Sequence, residues 1–272
     1  MLAFGRQWLR DECALPTQRH ARGMLKPPHS SNLLLAFLAA EDMAALVPHL
    51  RVIELPHKTV LFEAGDTIKT LYFPHNGMVS IVVDLSSGET IEAATIGRDG
   101  LVGGSAAIDD DIALNRAIVQ IEGMASVVDV GTFRTLVQQS DTLHATLARH
   151  RQFILAQAQQ SAACHAAHTV EARLSRWLLR CHDLLGSKEI PLTQEFLAEM
   201  LGVRRTTVTI WASMLQKAGF INYRRGHIRL IDLEGLRDSA CECYETIKAQ
   251  GKRLLGKGWC RHEWGLDDSE SS

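Results

Sequence analysis

Residues 192–221 read LTQEFLAEMLGVRRTTVTIWASMLQKAGFI, with apolar side chains at helical spacing on both sides of a central glycine. Thr193 is suited to cap a first helix, and Gly202 suits a tight turn that needs a positive φ. The expected buried faces comprise Phe196, Leu197, Met200 and Leu201 in the first helix and Val208, Trp211 and Leu215 in the second. The pattern predicts a helix-turn-helix.

The exposed N-terminal half of the second helix carries side chains that suit contact with DNA bases. A recognition helix presents its first turns to base edges in the major groove. Arginine can bind guanine through two hydrogen bonds, and threonine offers both a hydroxyl and a methyl group. The candidate DNA-binding residues on this helix are Arg204, Arg205, Thr206, Thr207 and Thr209.

Residues 219–231, GFINYRRGHIRLI, predict two short strands around a basic glycine turn. A basic hairpin directly after a recognition helix is typical of a wing, which contacts the DNA backbone. Arg224 and Arg225 are therefore candidate phosphate contacts. Together the two segments predict a winged helix-turn-helix domain over residues 169–235, with double-stranded DNA as its partner.

The segment before this domain has a helical pattern. It contains no proline or glycine between residues 132 and 185, and apolar side chains recur at helical steps at Leu143, Leu147 and Ile154. Small side chains that permit close helix approach stand at Ala156, Ala158, Ala162 and Ala163. We predict a long helix over residues 141–168 that pairs with its copy in a homodimer. The alternative is an ordinary helix folded back on its own β domain.

Residues 31–140 contain short apolar segments separated by turn residues, which predicts a β-sandwich or β-roll of about 100 residues. Asn76-Gly77 is a hairpin signal. The alternation from Met78 to Val83 places Val79, Ile81 and Val83 on one face and Ser80 on the other. A short helix over residues 33–46 precedes the strands.

The chain ends lie outside these regions. We predict an N-terminal extension over residues 1–30 and a C-terminal helix and tail over residues 236–272, with the helix at about 233–255. The expected fold class is α+β.

The composition is that of a soluble globular protein, with 46% hydrophobic and 22% charged residues among 272. No apolar run approaches the roughly 20 residues that cross a bilayer, so we expect a cytoplasmic protein without a membrane partner. Residues 31–140 contain 6 Lys/Arg and 14 Asp/Glu, a net charge of −8, whereas residues 169–233 contain 10 and 6, a net charge of +4. A polyanion is repelled by the first segment and attracted to the second.

The order of β-roll, long helix and winged helix resembles the Crp/Fnr family of bacterial transcription regulators. The resemblance covers roughly residues 33–235, and it rests on LFEAGDTIKTLYFPHNGMVSIVV (residues 61–83) and on residues 192–221. It implies a cyclic-nucleotide-binding-like β-roll that senses a small-molecule or nucleotide effector. It also implies a homodimer on palindromic operators, with RNA polymerase as a partner if the protein is an activator.

The chain departs from the family at residues that bind cyclic AMP. The family has a Gly-Glu-Leu step and then an Arg followed by Ser or Thr, whereas residues 97–104 read GRDGLVGG and Ala117 follows Arg116. The effector is therefore expected to differ from cyclic AMP, with Gly100, Gly103 and Arg116 as the candidate effector-binding residues. In the recognition helix, Thr206 and Ile210 replace a Glu and an Arg, so the operator should differ as well.

No metal or other cofactor is predicted. Cys13 is the sole cysteine in the N-terminal segment, too few for an iron–sulfur cluster there. No histidine among His57, His75 and His144 stands out as a haem ligand. Cys164 with His168, and Cys241 and Cys243 with Cys260, each provide fewer ligands than a structural zinc site needs.

Two other classes of function remain open. A small-ligand sensor module with weak or lost DNA binding would keep the β-roll and lose the salt-dependent affinity for DNA. An enzyme controlled by the β-roll would need a catalytic constellation, and the sequence shows neither a phosphate loop nor a nucleophile elbow. We therefore expect a regulator and not an enzyme.

Overall fold

A computed structural model describes residues 28–256, apart from Ser87 and Arg225. Residues 1–27 of the predicted N-terminal extension and residues 257–272 of the predicted C-terminal tail lie outside the described residues. Within the described part, no helix combines the length and apolar character that a membrane span requires.

The N-terminal half is a β-roll preceded by the short helices α1 (Leu33–Ala36) and α2 (Ala40–Leu46). Its strands are β1 (Arg51–Leu55), β2 (Val60–Phe62), β3 (Thr70–Pro74), β4 (Met78–Asp84), β5 (Thr90–Ile96), β6 (Arg116–Ile121) and β7 (Gly123–Asp129). One antiparallel sheet has the order β1-β7-β3 and a second has the order β2-β6-β4-β5. Leu71, Phe73, Val79 and Val119 are buried in the core of this half.

Two local predictions in this half are wrong. The helix expected over residues 33–46 is interrupted between α1 and α2. Asn76-Gly77 does not close a hairpin, because β3 and β4 lie in different sheets. Gly77 has a φ of 83°, and a Cβ there would lie 2.7 Å from the backbone oxygen of Ile121. The glycine is therefore required where the chain crosses from one sheet to the other.

The predicted alternation along β4 is wrong at Ser80 and Val83. Ser80 is fully buried and Val83 is exposed, and the pairing with β5 shifts register between Ile81 and Val82. Such an irregularity changes which side chains face the core. Ser80 is buried because the C-terminal half of the molecule covers the face of β4 that the alternation assigns to solvent.

The connecting region consists of α3 (Val130–Gln139), the 27-residue α4 (Asp141–Ala167) and α5 (Val170–Leu185). Ser140 caps α4 by accepting a hydrogen bond from the Leu143 N–H, and Thr169 caps α5 through the Ala172 N–H. His168 and Thr169 both have extended backbone, which separates the two helices. The break falls where the predicted long helix over residues 141–168 ends, although neither proline nor glycine marks it.

The C-terminal half contains β8 (Glu189–Pro191), α6 (Gln194–Leu201), α7 (Arg205–Lys217), β9 (Ile221–Arg224), β10 (His227–Leu230), α8 (Leu233–Ser239) and α9 (Cys243–Leu255). The strands form a small antiparallel sheet in the order β8-β10-β9. The helix expected over residues 233–255 is divided into α8 and α9. Ile247 of α9 packs against Phe153, and Gln160 donates to Cys243, so α9 runs antiparallel to α4.

The two halves of the molecule share a hydrophobic core. Met78, Val82 and Ile121 of the β-roll are buried in one cluster with Leu174 and Trp177 of α5. Helix α5 therefore lies on the outer face of β4 and β5, and the C-terminal domain is docked against the β-roll.

Candidate nucleic-acid interface and effector cavity

The helix-turn-helix has the predicted local geometry. The Thr193 hydroxyl accepts a hydrogen bond from the Phe196 N–H at 3.2 Å and so caps α6. Gly202 ends α6 with a φ of 59°, in the left-handed region that favours glycine. Val208, Ala212 and Leu215 form the buried face of α7, whereas Trp211, which was predicted to be buried, is half-buried against the same core. Helix α7 is thereby held with its opposite face toward solvent.

The exposed face of α7 begins with two arginines. Arg204 precedes the helix as its N-cap residue without a side-chain cap bond, and Arg205 begins it. Both side chains are exposed, and within the described part of the chain neither guanidinium forms an ion pair. All their N–H donors therefore remain available to a base or a phosphate.

The threonines of α7 differ in their availability. Thr206 is exposed and Thr207 is half-buried. The hydroxyl of Thr209 lies 2.9 Å from the side-chain oxygen of Gln194 and 3.0 Å from the backbone oxygen of Arg205. Thr209 therefore links α6 to α7, and its methyl group remains the part most available for a base contact.

The same face of α7 bears two exposed apolar side chains, of which sequence reasoning singled out Ile210 and missed Met214. Ile210 is 59% exposed and Met214 is 47% exposed, one helical turn further along α7. Large apolar side chains on a soluble surface are informative when they lie beside a polar binding face. The spacing of four residues on a face otherwise made of Arg, Thr and Ser was the signal that identifies them.

The wing is the hairpin of β9 and β10, in which Arg224 and Arg229 are exposed. Gln216 of α7 accepts a hydrogen bond from the Tyr223 N–H at 2.8 Å, which ties the wing to α7. Arg229 is 3.3 Å from Glu189, so part of its charge is already paired. Arg225, the second predicted phosphate contact, lies outside the described residues.

The positive charge of this domain is divided between surface and interior. Arg173, Arg176 and Arg180 of α5 are all buried. They contributed to the charge count of residues 169–233, yet they do not face a duplex bound at α7. The exposed cations of the described chain between those limits are Lys188, Arg204, Arg205, Lys217, Arg224 and Arg229.

The docked arrangement places the first turn of α7 beside the β-roll. A cleft of about 460 Å³ is lined by residues 88–91, at the β4–β5 hairpin, and by residues of α6 together with Arg204 and Arg205. Glu89, Glu195 and Glu199 also line this cleft. The two candidate base-reading arginines thus border a cleft whose acidic side chains come from α6 and, through Glu89, from the sensor half.

Buried polar contacts hold the two halves together. The Ser80 hydroxyl donates to one carboxylate oxygen of Glu92 at 2.5 Å, and the Trp177 indole N–H donates to the other at 2.9 Å. Burial raises the pKa of Glu92 to about 7, although these donors and the charges of Arg176 and Arg180 oppose the shift. Glu92 is therefore partly protonated near neutral pH.

A second buried contact is an ion pair between Asp99 and Arg180. The Nη2 of Arg180 lies 2.6 Å from Asp99 Oδ2, and both side chains are less than 10% exposed. Asp99 also accepts a hydrogen bond from the Gly97 N–H. The pair therefore joins α5 to the segment that follows β5.

A cavity of about 320 Å³ lies between the β-roll and α4. Its lining is mainly apolar and includes Phe62, Ile68, Ala94, Ile96, Leu101, Leu147, Ile154 and Leu155, while its polar members are Ser105, Asn115, His150 and Arg151. This volume suits a small ligand. Arg151 is the single cation of the lining as described, and it already lies 3.5 Å from Asp109.

The candidate effector residues have three different positions. Gly103 lines the cavity and has a φ of 82°. Gly100 lies beneath His150, whose Nε2 would be 2.7 Å from an added Cβ. Arg116 does not line the cavity, because its guanidinium is paired with Glu63 at 2.7 Å and with Asp84 at 3.2 Å. Arg116 therefore has no part in this cavity, and its role in effector binding stays a prediction.

His150 connects the cavity to the segment that bears Asp99. Its Nε2 accepts a hydrogen bond from the Leu101 N–H at 3.1 Å. Burial lowers the pKa of His150 to about 4, against the opposing charge of Asp99. The imidazole is therefore neutral at neutral pH and acts as an acceptor.

The cysteines lie in a different arrangement from the one expected. Cys164, His168, Cys241 and Cys243 bring their ligand atoms within 4.8 Å of one another. The prediction of no metal site counted ligands along separate stretches of sequence. It did not take into account that the end of α4 meets the α8–α9 connection in the fold. Cys260, the remaining cysteine of that prediction, lies outside the described residues.

Two family models match the chain. Residues 52–140 match the family described as cyclic nucleotide-binding domain, and residues 172–239 match the Crp-like helix-turn-helix domain. A search among curated protein sequences finds no significant match.

Solved structures share the fold at low sequence identity. FixK2 from Bradyrhizobium japonicum is 15% identical, with a TM-score of 0.61 over 71% of this chain and 98% of that one. The c-di-GMP responsive global regulator CLP from Xanthomonas campestris is 19% identical, with a TM-score of 0.56 over 71% and 100%. A Crp/Fnr-family transcriptional regulator from Thermus thermophilus is 20% identical, with a TM-score of 0.55 over 70% and 98%.

The fold and the two domains define a class of protein in which a cyclic-nucleotide-binding-type β-roll is followed by a winged helix-turn-helix. With this domain composition, the chain belongs to the Crp/Fnr family of transcription regulators. The predicted α+β fold class is confirmed.

Proposed function

We propose that the protein binds DNA in a sequence-specific manner, as a homodimer on palindromic operators, under the control of a small effector. The observation that carries the proposal is the exposed Arg204 and Arg205, which form no ion pair among the described residues, at the start of a recognition helix whose other face is buried. A DNA-binding regulator of this kind acts in the cytoplasm, and RNA polymerase is a further partner if the protein is an activator.

Sequence is read by the first half of α7. Arg205 and Thr206 reach base edges, with Arg204 and Thr207 beside them, and Arg224 and Arg225 of the wing contact phosphates. Ile210 offers an apolar contact to a thymine methyl group. Because Thr206 and Ile210 replace a Glu and an Arg of the family pattern, the preferred half-site differs from the family's usual one.

The homodimer is supported by an exposed stripe along α4. One face of α4 packs on its own β-roll through Leu143 and Leu147, as the alternative interpretation expected. The adjoining face leaves Ala148, Arg151, Leu155, Ala158 and Ala162 exposed or half-buried at steps of three and four residues, and three of these residues also border the effector cavity. Leu155 is 54% exposed, and this spacing is that of a seam between paired helices.

The effector cavity and the docked DNA-binding domain share strand β5. Ala94 and Ile96 line the cavity, whereas Glu92 contacts Trp177 of α5. A ligand that displaces β5 or α4 therefore changes the surface on which α5 rests. We assign the docked arrangement to a closed state, since a duplex approaching Arg204 and Arg205 meets the β4–β5 hairpin.

Titration of the full-length protein with DNA tests the proposal. The duplexes are a site selected from random DNA and a scrambled version of it, each at two salt concentrations. We expect tighter binding to the selected site, with an affinity that falls steeply as salt rises. Weak, salt-insensitive binding to both duplexes would contradict the proposal and favour a small-ligand sensor module.

The homodimer is tested separately by light scattering. Leu155→Glu should convert a dimer to a monomer, because two carboxylates would face each other across the α4 seam. Val52→Glu is the matched control, since Val52 is a 39%-exposed apolar residue on β1. A wild-type monomer, or equal dissociation of both variants, would remove α4 as the dimer contact.

A further inference from the structure

The end of α4 and the α8–α9 connection meet at a cluster of soft ligands. Cys164 lies in the last turn of α4, and His168 is the residue that ends this helix. Cys241 lies between α8 and α9, and Cys243 begins α9. The three cysteines are buried and the histidine is half-buried. Two short motifs separated by more than seventy residues thus supply four potential ligands at one point.

The spacing of these ligands fits a single tetrahedral ion. The Sγ atoms of Cys164 and Cys241 are 3.5 Å apart, and Cys243 Sγ is 3.5 Å from His168 Nδ1. With Zn–S bonds of about 2.3 Å and a Zn–N bond of about 2.0 Å, the S–S edge of a tetrahedral site measures about 3.8 Å and the S–N edge about 3.5 Å. A disulfide would use only two of the four groups, and an iron–sulfur cluster would spread its ligands over several iron atoms.

The groups around the cluster favour the metal-binding forms of the ligands. Glu242 Oε1 lies 3.2 Å from His168 Nε2, so the carboxylate can accept from Nε2–H and leave Nδ1 free as a ligand. The Gln160 amide donates to Cys243 Sγ at 3.0 Å. A carboxylate on the far nitrogen and an N–H donor on a thiolate are the usual companions of a zinc ligand set.

Buried positive charge lies beside the thiols. Arg173 and Arg176 of α5 are close enough to interact electrostatically with Cys164. Both guanidinium groups are buried, and in the described structure their Nε atoms have no hydrogen-bond partner. Three thiolates and a neutral imidazole around Zn²⁺ carry one net negative charge, which such arginines can compensate.

We propose that Cys164, His168, Cys241 and Cys243 bind one structural zinc ion. The ion joins the end of α4 to the start of α9, directly beside Thr169, where α5 begins. It therefore fixes the C-terminal helix along α4 and limits the hinge between the long helix and the DNA-binding domain. Binding deprotonates the thiols and releases their protons. The site does not depend on whether the protein binds DNA.

Metal analysis of the full-length protein tests this site. Protein purified with zinc and then dialysed against metal-free buffer should retain one zinc ion per chain. Cys164→Ser and Cys243→Ser should lose it, and Glu242→Gln should lower the zinc affinity about 10–100-fold. Cys181→Ala is the matched control, because Cys181 is buried beside Met78, outside the cluster, and should leave the zinc content unchanged.

A second measurement keeps the test decisive if a cysteine variant fails to fold. Wild-type protein stripped by a chelator and loaded with Co²⁺ should show the intense visible and thiolate charge-transfer bands of tetrahedral cobalt bound to cysteine. Zinc should remove these bands and raise the melting temperature. Metal lost on dialysis of the wild type, an octahedral cobalt spectrum, or a Cys164–Cys241 disulfide in the isolated protein would each overturn the proposal.

Discussion

Helices α5 and α7 belong to the same domain, and both carry arginines, but in opposite environments. Arg180 of α5 is buried and lies 2.6 Å from Asp99 of the β-roll. Arg205 of α7 is exposed and is not ion-paired within the described chain. A buried guanidinium must be compensated where it lies, whereas an exposed one keeps its donors for a ligand. The comparison shows that arginines of one domain serve two purposes. The buried ones hold the domain against the β-roll, and the exposed ones remain available to DNA.

The largest expected effect follows from breaking the buried pair. Arg180→Ala leaves Asp99 buried without its partner and should lower the free energy of unfolding by about 3–5 kcal/mol. Arg205→Ala, the control on the exposed helix, should change it by no more than about 0.5 kcal/mol. Denaturant unfolding of both variants measures the difference. Equal stability of Arg180→Ala and wild type would show that α5 is not held by this pair.

A double variant separates the lost attraction from the buried charge. Asp99→Asn combined with Arg180→Met leaves no uncompensated charge in the interface, so much of the lost stability should return. If the double variant is as unstable as Arg180→Ala, the cost arises from packing and not from electrostatics.

The second effect is a pH dependence at Glu92. Its pKa is raised to about 7 in the folded protein from 4.5. Folding therefore favours the protonated form of Glu92. Its contribution to the free energy of unfolding is fully present below pH 4.5 and is lost as the pH rises to about 7. At about 1.4 kcal/mol per pKa unit, the contribution amounts to about 3 kcal/mol at most.

Glu92→Gln should remove this dependence, with the amide oxygen accepting from Trp177 and the amide N–H donating to the Ser80 hydroxyl. Wild type should lose stability relative to the variant between pH 5 and pH 7, the window that lies between the two pKa values. His150 has the opposite sign, since its pKa is lowered to about 4 and its contribution is lost on acidification. Because both proteins contain His150, the difference between their melting temperatures isolates Glu92. A constant difference across this range would contradict the assignment.

The third effect concerns the exposed arginine. Arg205→Ala should weaken binding to the selected site by about 1–3 kcal/mol and relax the preference at one base pair. Arg51→Ala is a matched control, because Arg51 is an exposed arginine on β1 of the sensor half. Normal affinity and unchanged base preference for Arg205→Ala would contradict the assignment of Arg205 as a base reader.

The smallest effect is expected at the wing. Arg224→Ala should weaken all duplexes alike and reduce the slope of log affinity against log salt by about 1. Gel-shift titrations on selected and scrambled duplexes would measure it. A loss confined to the selected site would instead make Arg224 a base reader.

The helix-turn-helix could be predicted from the sequence because its information is local. The buried faces of α6 and α7 repeat at helical spacing, and Thr193 and Gly202 mark the ends of α6. The burial of the β4 face that bears Ser80 could not be predicted from the sequence, because a helix about a hundred residues further along the chain covers it. The charge count of residues 169–233 likewise included Arg180, whose burial against the β-roll the sequence does not reveal.

The cysteine cluster was missed because its two halves are far apart in sequence. Cys164 with His168, and Cys241 and Cys243 with Cys260, were each judged to offer too few ligands. Only the antiparallel packing of α9 on α4 brings Cys164 and His168 together with Cys241 and Cys243. The effector cavity shows the same limit. Gly103 was found because residues 97–104 correspond to the family's nucleotide-binding stretch, whereas His150 reaches the cavity from α4.

Selection of bound sites from random DNA tests the central claim most directly. Full-length protein should enrich an inverted repeat whose half-site centres lie about 10 base pairs apart, or a multiple of that distance. Cyclic AMP and other nucleotides, added in parallel, should change the yield only if one of them is the effector. An Arg204→Ala/Arg205→Ala double variant should not enrich this repeat. No enrichment by the wild type, or the same motif from the double variant, would contradict the account.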